Sequence, residues 1–479
     1  MSTLFTWQHL HNAGFDFKGD FLLPLSDGTQ LLAKQVLRIL PKKRMVVSGV
    51  WEDKKVVAKL FYDKNALAHA DKDAAGVKIL VKGRIPTPAL LYQGSAQDKR
   101  IQILLFQQIL EAKSLDDILH EQGTSSLCML FLQRVTMELA IQHALGVLQE
   151  DLHPKNFLLT AEQVYTLDGG QVQAFSLPLS KEQSLQKLAL FFSQWGVGLE
   201  EEKKTLFHLY AKSRGWIVGK KDLKSLFSQI KYWQRVRWQR YQDKIFRQSS
   251  DFSPIKSRSG NGMYNRHFSS QALQIFLQDP EALFRQGNIQ ILKQGRSSTV
   301  VRAQMGNQVV VVKRYNIKSG WHWLRRCFRE TRAAFCWRLS QKLDFFGIST
   351  ARPIAFFEKK FLCFRGTSYF VMEYISGERA DAFFRDTAEE SVVTQVIENM
   401  VGLLKNLCRL RIAHGDLKIT NILLNEKLSP VLIDLDGVIE YVSAPVFHKV
   451  WRKEIKRFLE NFHTMPVLYE QFKKLLLRE

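Results

Sequence analysis

The sequence has few cysteines, and no two of them are closely spaced. Its five cysteines are scattered over 479 residues, with no C-x-x-C pair and no combined His and Cys spacing of a zinc site. This pattern excludes a disulfide framework and a zinc module, and it favours a reducing compartment.

Long apolar runs are also missing. No run approaches the roughly 18 residues that a membrane-spanning helix needs, and the N-terminal MSTLFTWQHLHNAGFDFKGD has no basic segment followed by an apolar one. We therefore expect a protein without a secretory signal, located in the cytoplasm.

Acidic residues are in short supply. Lys and Arg number 69 against 46 Asp and Glu, which gives a formal net charge of +23. Such a charge attracts anionic partners. Nucleic acid is not expected, because no zinc-finger, RNA-recognition or basic-zipper pattern is present. An anionic membrane surface is the better candidate, since each Lys or Arg near anionic lipid contributes about 1 kcal/mol.

The most informative stretch is IAHGDLKITNILLNEKLSPVLIDLDG, residues 412–437. Short apolar runs flank its polar centre and predict two buried strands with a loop between them. Phosphoryl transfer from ATP requires a carboxylate for the acceptor hydroxyl, then an amide and a second carboxylate for magnesium. Asp416, Asn421 and Asp434 fit these roles in that order.

A second copy of this pattern lies earlier in the chain, in QEDLHPKNFLL and VYTLDGG. Asp151, Asn156 and Asp168 precede their counterparts by 265, 265 and 266 residues. Such agreement indicates duplication of a whole domain. We predict a first domain at 1–247 and a second at 271–479. Residues 248–270 are rich in Ser, Gly and Asn, which predicts a linker.

Nucleotide-binding residues are predicted upstream of each loop. Lys59 in VVAKLFY and Lys313 in VVVVKRY are each placed to contact the α- and β-phosphates of ATP. In the second copy the turn GRSST, with Gly295 and Ser297, is predicted to cover the phosphates, although one glycine is weaker than a G-x-G-x-x-G loop. A hinge for adenine is predicted with Glu373 and Tyr374 nearest.

The acidic partner of each lysine is predicted on the following helix. Asp73, twelve residues before Ile85, is the candidate for Lys59. The same count back from Ile348 reaches Cys336 instead of an acid. Either Glu330, in a helix predicted at 321–342, replaces it, or the ion pair is absent in the second copy.

A basic and aromatic helix is predicted at 231–247, in KYWQRVRWQRYQDKIFR. Two interpretations stay open. It is either a domain-terminal helix with its aromatic residues in the core, or a helix that lies at a membrane interface.

Together these motifs resemble the lipopolysaccharide core kinases, the Kdo and heptose kinases of the protein-kinase-like superfamily. The second half carries VVVKRY, GISTARP, MEYISG, HGDLKITNILL and VLIDLDG. The first half is similar to the same superfamily through VVAKLF, GRIPTP, EDLHPKN and TLDGG, with Gln149 where the second copy has His414.

The resemblance implies an α+β fold of two tandem bilobal domains, each with an antiparallel-sheet N-lobe and a mainly helical C-lobe. It also implies ATP with Mg²⁺ and phosphorylation of a heptose or Kdo hydroxyl in the lipopolysaccharide inner core. The expected location is the cytoplasmic face of the inner membrane of a Gram-negative bacterium.

A different class of function is a scaffold in cell-envelope assembly, with one or both domains acting as pseudokinases. The missing glycine-rich loop and Gln149 make this more credible for the first domain than for the second. A protein kinase is disfavoured, because no APE-like segment follows Asp434.

Overall fold

The computed structural model describes residues 3–122, 126–257, 259–285, 289–317, 327–361, 364–386 and 389–477. The chain divides into two compact units: unit 1 comprises Met1–Gln194 and Leu199–Arg235, and unit 2 comprises Trp195–Gly198 and Val236–Glu479. Each is described separately.

Unit 1 begins with a seven-stranded sheet in the order β1-β2-β3-β4-β5-β7-β6. Its strands are β1 (Thr3–Leu4), β2 (Phe21–Pro24), β3 (Gln30–Leu40), β4 (Arg44–Trp51), β5 (Lys54–Phe61), β6 (Leu90–Ser95) and β7 (Gln102–Gln107). All neighbouring strands are antiparallel except the β1–β2 pair. In β4 every second residue is buried, as expected for a strand with one face on a core.

The rest of unit 1 is mainly helical. Its helices are α1 (Trp7–Asn12), α2 (Ala66–Lys82), α3 (Leu115–Gln122), α4 (Ser126–Ala144), α5 (Lys181–Phe192), α6 (Glu200–Ser213) and α7 (Lys220–Lys244), the last of which continues into unit 2. Short strands complete it: β8 (Lys113–Ser114), β9 (Val147–Gln149), β10 (Phe157–Leu159), β11 (Val164–Thr166) and β12 (Val172–Ala174). Helix α3 is capped by Ser114, whose hydroxyl accepts from the Asp117 amide at 3.1 Å.

Unit 2 also has a seven-stranded sheet, in the order β13-β14-β18-β19-β17-β16-β15. Its strands are β13 (Phe252–Ser257), β14 (Gly260–Asn265), β15 (Gln290–Gln294), β16 (Ser298–Met305), β17 (Gln308–Tyr315), β18 (Pro353–Phe361) and β19 (Phe364–Glu373). All of its pairings are antiparallel.

Helices and short hairpins follow in unit 2. The helices are α8 (Gln271–Gln278), α9 (Pro280–Arg285), α10 (Arg332–Phe345), α11 (Ala380–Asp386), α12 (Glu390–Arg409), α13 (Ala444–Glu460) and α14 (Pro466–Leu476). The short strands are β20 (Gly377–Arg379), β21 (Ile412–Ala413), β22 (Ile422–Asn425), β23 (Pro430–Leu432) and β24 (Ile439–Glu440). The predicted α+β class with antiparallel sheets is thus confirmed.

Residues 248–270 do not form a linker, and that prediction was wrong. They contain the hairpin β13–β14, and β14 pairs with β18. A Cβ added at Gly260 or Gly262 would lie 2.0 Å from a backbone carbonyl of β18. Glycine is needed here because two strands approach closely, whereas the sequence composition indicated a flexible segment.

The basic and aromatic helix is α7. Near its end Trp238 is only 8% exposed and its ring lies 5.6 Å from that of Phe345, and the Tyr241 hydroxyl contacts Gln341 at 3.2 Å. These contacts favour the domain-terminal interpretation for this part of the helix, while Tyr232 remains 56% exposed. Among the described residues, no helix is both long and apolar enough to cross a membrane.

A buried histidine lies in the helical part of unit 1. His143 in α4 is 1% exposed, and its Nδ1 lies 2.7 Å from the Tyr210 hydroxyl. Burial, reinforced by the positive charges of Arg214 and Lys187, lowers the pKa of His143 to about 3.

Replacement of His143 by Phe is expected to flatten the dependence of the unfolding free energy on pH. The folded imidazole stays neutral, whereas the unfolded one binds a proton below its ordinary pKa of 6.5. Stability from this group is complete above pH 6.5 and is lost as the pH falls towards the folded value, at about 1.4 kcal/mol per pH unit. Urea unfolding of the full chain at several pH values between about 7 and 5 measures the slope. His208→Phe, at an exposed position of the same unit, is the control. An unchanged slope in His143→Phe would contradict the assignment.

Candidate active site

The loop between β21 and β22 carries the first two predicted residues of unit 2. A 3₁₀ turn, Ile419–Asn421, brings the Asn421 amide back so that its Nδ2 donates to the Asp416 backbone oxygen at 2.9 Å. The Asp416 side chain is 54% exposed, and its Oδ1 lies 2.7 Å from Lys418 Nζ. The Asp416 carboxylate is therefore open to solvent beside one positive charge.

Asp434 is tied to this loop through the backbone. The Ile433 amide donates to the Asn421 carbonyl at 3.0 Å, and Asp434 then adopts a left-handed conformation with φ of 57°. Its Oδ1 lies 2.5 Å from Lys313 Nζ in β17, and its Oδ2 lies 3.8 Å from Lys293 Nζ in β15. Burial opposes ionisation of Asp434, but the two lysines outweigh it, so its pKa is lowered.

Unit 1 repeats this geometry. Asn156 Nδ2 donates to the Asp151 backbone oxygen at 2.8 Å, and the Leu167 amide donates to the Asn156 carbonyl at 2.8 Å. Asp168 follows with φ of 64°, also left-handed. In each unit the structure brings together the three residues that the spacing predicted.

Lys59 has the partner that the sequence predicted. Its Nζ lies 2.6 Å from Asp73 Oδ2 of α2 and 3.3 Å from Asp168 Oδ1, and Asp73 is 1% exposed. Burial opposes ionisation of Asp168, but the positive charges of Lys59, Arg44 and Arg38 together lower its pKa.

Two glycines allow α2 to approach the segment after Asp168. A Cβ on Gly76 would lie 1.8 Å from the Gly169 backbone oxygen, and one on Gly169 would lie 2.3 Å from the Asp73 backbone oxygen. The helix therefore rests directly on backbone at the point where it presents Asp73 to Lys59.

Lys313 has a different set of partners. Besides Asp434, its Nζ lies 3.0 Å from Asp436 Oδ2, two residues further along the chain. Burial disfavours its charge, but Asp436 and Asp434 outweigh this, so the pKa of Lys313 is raised. Its side chain is only 8% exposed, so the ammonium depends on these carboxylates.

Glu330 is not the partner of Lys313, so the alternative in which Glu330 replaces the helix acid was wrong. Helix α10 begins at Arg332, after its N-cap Thr331, so Glu330 precedes it and pairs with Arg338 at 3.3 Å. The carboxylates beside Lys313 are Asp434 and Asp436 of the loop after β23, and the counted helix position is Cys336, so the helix ion pair is absent there, as the second alternative held. Part of the predicted helix, 321–326, lies outside the described residues.

The predicted phosphate turn joins β15 to β16. The Gly295 amide donates to the Ser298 carbonyl, and the Asn316 amide donates to the Ser297 carbonyl, both at 3.0 Å. Asn316 Nδ2 also reaches the Gly295 oxygen at 3.2 Å. The turn is thus fastened to the end of β17, the strand that carries Lys313.

The predicted hinge lies at the end of β19. The Glu373 amide donates to the Arg352 carbonyl at 2.9 Å, and the Tyr374 amide donates to the Val309 carbonyl at 3.2 Å. Both amides are therefore already paired, so contact of adenine with these two residues would use their carbonyls. The Arg302 guanidinium lies 4.4 Å from the centre of the Tyr374 ring.

Unit 1 differs in two places. The turn between β3 and β4 consists of Pro41, Lys42 and Lys43, without glycine. Gln149, at the position of His414, donates to Gln142 at 3.1 Å in a buried amide network.

Sequence reasoning missed Glu454 of α13. Its carboxylate accepts the amide of His414 at 2.9 Å and that of Gly415 at 2.5 Å, directly before Asp416. Glu454 is 6% exposed, and burial raises its pKa despite these hydrogen bonds. A detectable signal was present, because the acid lies on the apolar stripe of an amphipathic helix, between Phe447 and Phe458.

The residues present fit a magnesium nucleotide. Mg²⁺ is usually bound by one or two carboxylates together with substrate phosphates and water, so it needs no all-protein cage. The Asp434 carboxylate and the Asn421 side-chain oxygen would supply oxygen ligands of this kind, beside Lys313 and Lys293. The part of the chain that the structure describes holds no cluster of three or more His, Cys, Asp or Glu suited to a metal ion.

Comparison with known proteins bears on unit 2. Residues 285–463 match the model of the "Lipopolysaccharide kinase (Kdo/WaaP) family". This stretch carries the Kdo/WaaP kinase signature. The resemblance predicted for the second half is confirmed, and the match supports a phosphotransferase. Unit 1 lies outside the matched residues.

Comparisons with curated proteins and with solved structures add no information on function. No curated protein matches the sequence. A solved structure titled "Structure of vaccinia related kinase 3" is 14% identical and covers 56% of this chain and 86% of that one, with a TM-score of 0.28. A TM-score this low carries no conclusion about function.

Replacement of Glu454 by Ala is expected to destabilise the chain by about 3 kcal/mol, because the buried His414 amide and the neighbouring Gly415 amide lose their shared acceptor before Asp416. The measurement is urea unfolding of the full chain. Glu460→Ala, at an exposed position of the same helix, is the matched control and should leave stability unchanged. Equal stability of the two variants would show that Glu454 does not hold the loop.

Proposed function

We propose that this chain is an ATP-dependent kinase that phosphorylates a sugar hydroxyl, of heptose or Kdo, in the lipopolysaccharide inner core. Unit 2 carries out the chemistry. The supporting observation is one connected set: the exposed Asp416 is tied through Asn421 to the strand before Asp434, and Asp434 pairs with buried Lys313. All four residues lie inside the matched family segment.

Asp416 orients the acceptor hydroxyl and accepts its proton. Its exposure lets an incoming sugar reach the carboxylate, while the Asn421 amide fixes the backbone that carries it. Lys418 places a positive charge beside the position where the transferred phosphoryl group arrives. Positioning and charge neutralisation of this kind are the main contributions of a protein to phosphoryl transfer.

Lys313 binds the α- and β-phosphates, and the Gly295–Ser297 turn covers them. Asn421 and Asp434 supply oxygen ligands to Mg²⁺, which when bound neutralises charge on the phosphates. Glu373 and Tyr374 lie nearest to the adenine.

The acceptor explains the charge of the chain. Lipopolysaccharide cores and inner-membrane lipids are anionic, and a net charge of +23 favours approach to both. We therefore place the enzyme in the cytoplasm, at the surface of the inner membrane and peripheral to it.

Unit 1 has a second candidate function as a pseudokinase scaffold. Its Pro41–Lys43 turn lacks glycine, and Gln149 replaces the histidine of the second copy. It nevertheless keeps the Lys59–Asp73 pair, so Lys59, Asp168 and Asn156 remain a nucleotide site in this proposal, with Asp151 at the catalytic position.

Replacement of Asp416 by Asn is expected to reduce phosphate transfer to purified core oligosaccharide by about 10²- to 10⁴-fold, the usual contribution of a general base. Incorporation of labelled phosphate from ATP by the full chain measures the rate. Asp151→Asn is the matched variant in unit 1, and it should retain the wild-type rate if unit 1 is a scaffold. Equal incorporation by wild type and Asp416→Asn would rule out the proposed role.

A further inference from the structure

The two units hold their nucleotide-binding lysine with carboxylates from different elements. In unit 1, Lys59 contacts Asp73 of helix α2 at 2.6 Å and Asp168 at 3.3 Å. In unit 2, Lys313 contacts Asp434 at 2.5 Å and Asp436 at 3.0 Å. In both units one carboxylate is the left-handed aspartate, Asp168 or Asp434. The second carboxylate comes from the helix in unit 1 and from the loop in unit 2.

The helix position of Asp73 is occupied by Cys336 in unit 2. Each residue lies twelve before an isoleucine, Ile85 or Ile348, whose amide donates to a carbonyl five residues earlier, at 2.9 and 2.8 Å. The C-terminal ends of α2 and α10 therefore have the same hydrogen bond, and Asp73 and Cys336 occupy equivalent positions. Cys336 Sγ lies 3.4 Å from Asp436 Oδ1, so the thiol faces the carboxylate that replaces Asp73.

The loop position of Asp436 is occupied by Gly170 in unit 1. Both residues lie two after the left-handed aspartate, Asp168 or Asp434. A Cβ on Gly170 would lie 3.8 Å from the Asp73 Cβ and 3.8 Å from Asp168 Oδ1. A side chain there would enter the space that Asp73 uses. Each unit thus has an acid at only one of these two positions. Unit 1 has it on the helix, and unit 2 has it on the loop.

Asp436 is held in one orientation. The Tyr315 hydroxyl donates to its Oδ1 at 2.7 Å, and the Cys336 thiol donates to the same oxygen, which leaves Oδ2 for Lys313. Tyr315 and Cys336 are 5% and 2% exposed. Burial raises the pKa of both groups, so each keeps its proton and remains a donor.

We infer that Asp436 is the positioning carboxylate of Lys313, supplied by the loop where unit 1 supplies Asp73 from the helix, while Cys336 occupies the helix position. It is a positioning residue, because it acts on the nucleotide through the lysine. The inference rests on the proposed function only in assuming that Lys313 meets nucleotide phosphates.

The test measures the affinity of the full chain for a fluorescent ATP analogue, with Mg²⁺ and with EDTA, in a Lys59→Met background that removes the lysine of unit 1. Asp436→Asn is expected to weaken binding about tenfold under both conditions, because Lys313 loses one of its two carboxylates. Thermal unfolding of each variant checks that the fold is retained.

A transplant supplies the control for structural damage. Asp436→Gly combined with Cys336→Asp recreates the unit 1 arrangement, and it should restore affinity to within about threefold of wild type. Asp436→Gly alone should stay weak. If Asp436→Gly does not fold, Asp436→Asn with and without Cys336→Asp gives the same comparison.

Three outcomes would overturn the inference: wild-type affinity in Asp436→Asn, no recovery in the transplant, or a loss seen only with Mg²⁺. The last would make Asp436 a metal ligand. Phosphate transfer to core oligosaccharide is measured separately. If wild type transfers none while binding weakens and recovers as described, the proposed function fails and the role of Asp436 stands.

Discussion

A buried lysine beside a carboxylate is the constraint on which each unit depends. An ammonium that is removed from water requires a paired charge, and loss of one partner from a buried pair costs about 3–5 kcal/mol. Lys313 is 8% exposed at its side chain and Lys59 is 15% exposed. Each lysine joins the sheet to the segment that begins at Asp168 or Asp434, so the pair fixes the two elements that would hold a nucleotide.

The geometry around these pairs depends on backbone contacts as much as on charges. Gly415 has φ of 80°, and a Cβ on it would lie 2.2 Å from the Gly437 backbone oxygen. In unit 1 the corresponding close approach is made by α2 through Gly76 and Gly169. In both units, the segments that carry aspartates meet at places where no side chain would fit.

Local spacing was enough to predict much of the site. Asp416, Asn421 and Asp434 follow from one continuous stretch, because a short loop between two strands leaves little freedom in where they lie. The α+β class followed from these elements, while the division into domains 1–247 and 271–479 remains a prediction.

What the sequence did not reveal depends on contacts between distant residues. Asp436 reaches Lys313 across 123 positions, and nothing in the local pattern of IDLDG distinguishes a structural aspartate from a second partner. Glu454 acts across 40 positions on the His414 amide. The hairpin at 252–265 was missed because glycine serves both flexible segments and close strand packing.

The element that supplies the second carboxylate determines which contacts the lysine site needs in order to form. In unit 1 the pair forms only while helix α2 is docked, so any displacement of that helix breaks it. In unit 2 both carboxylates of Lys313 come from one short loop. A shift of α10 would remove the Cys336 contact but leave both acids beside the lysine. Displacement of the helix could therefore act as a switch in unit 1, whereas the lysine site of unit 2 does not depend on the position of its helix.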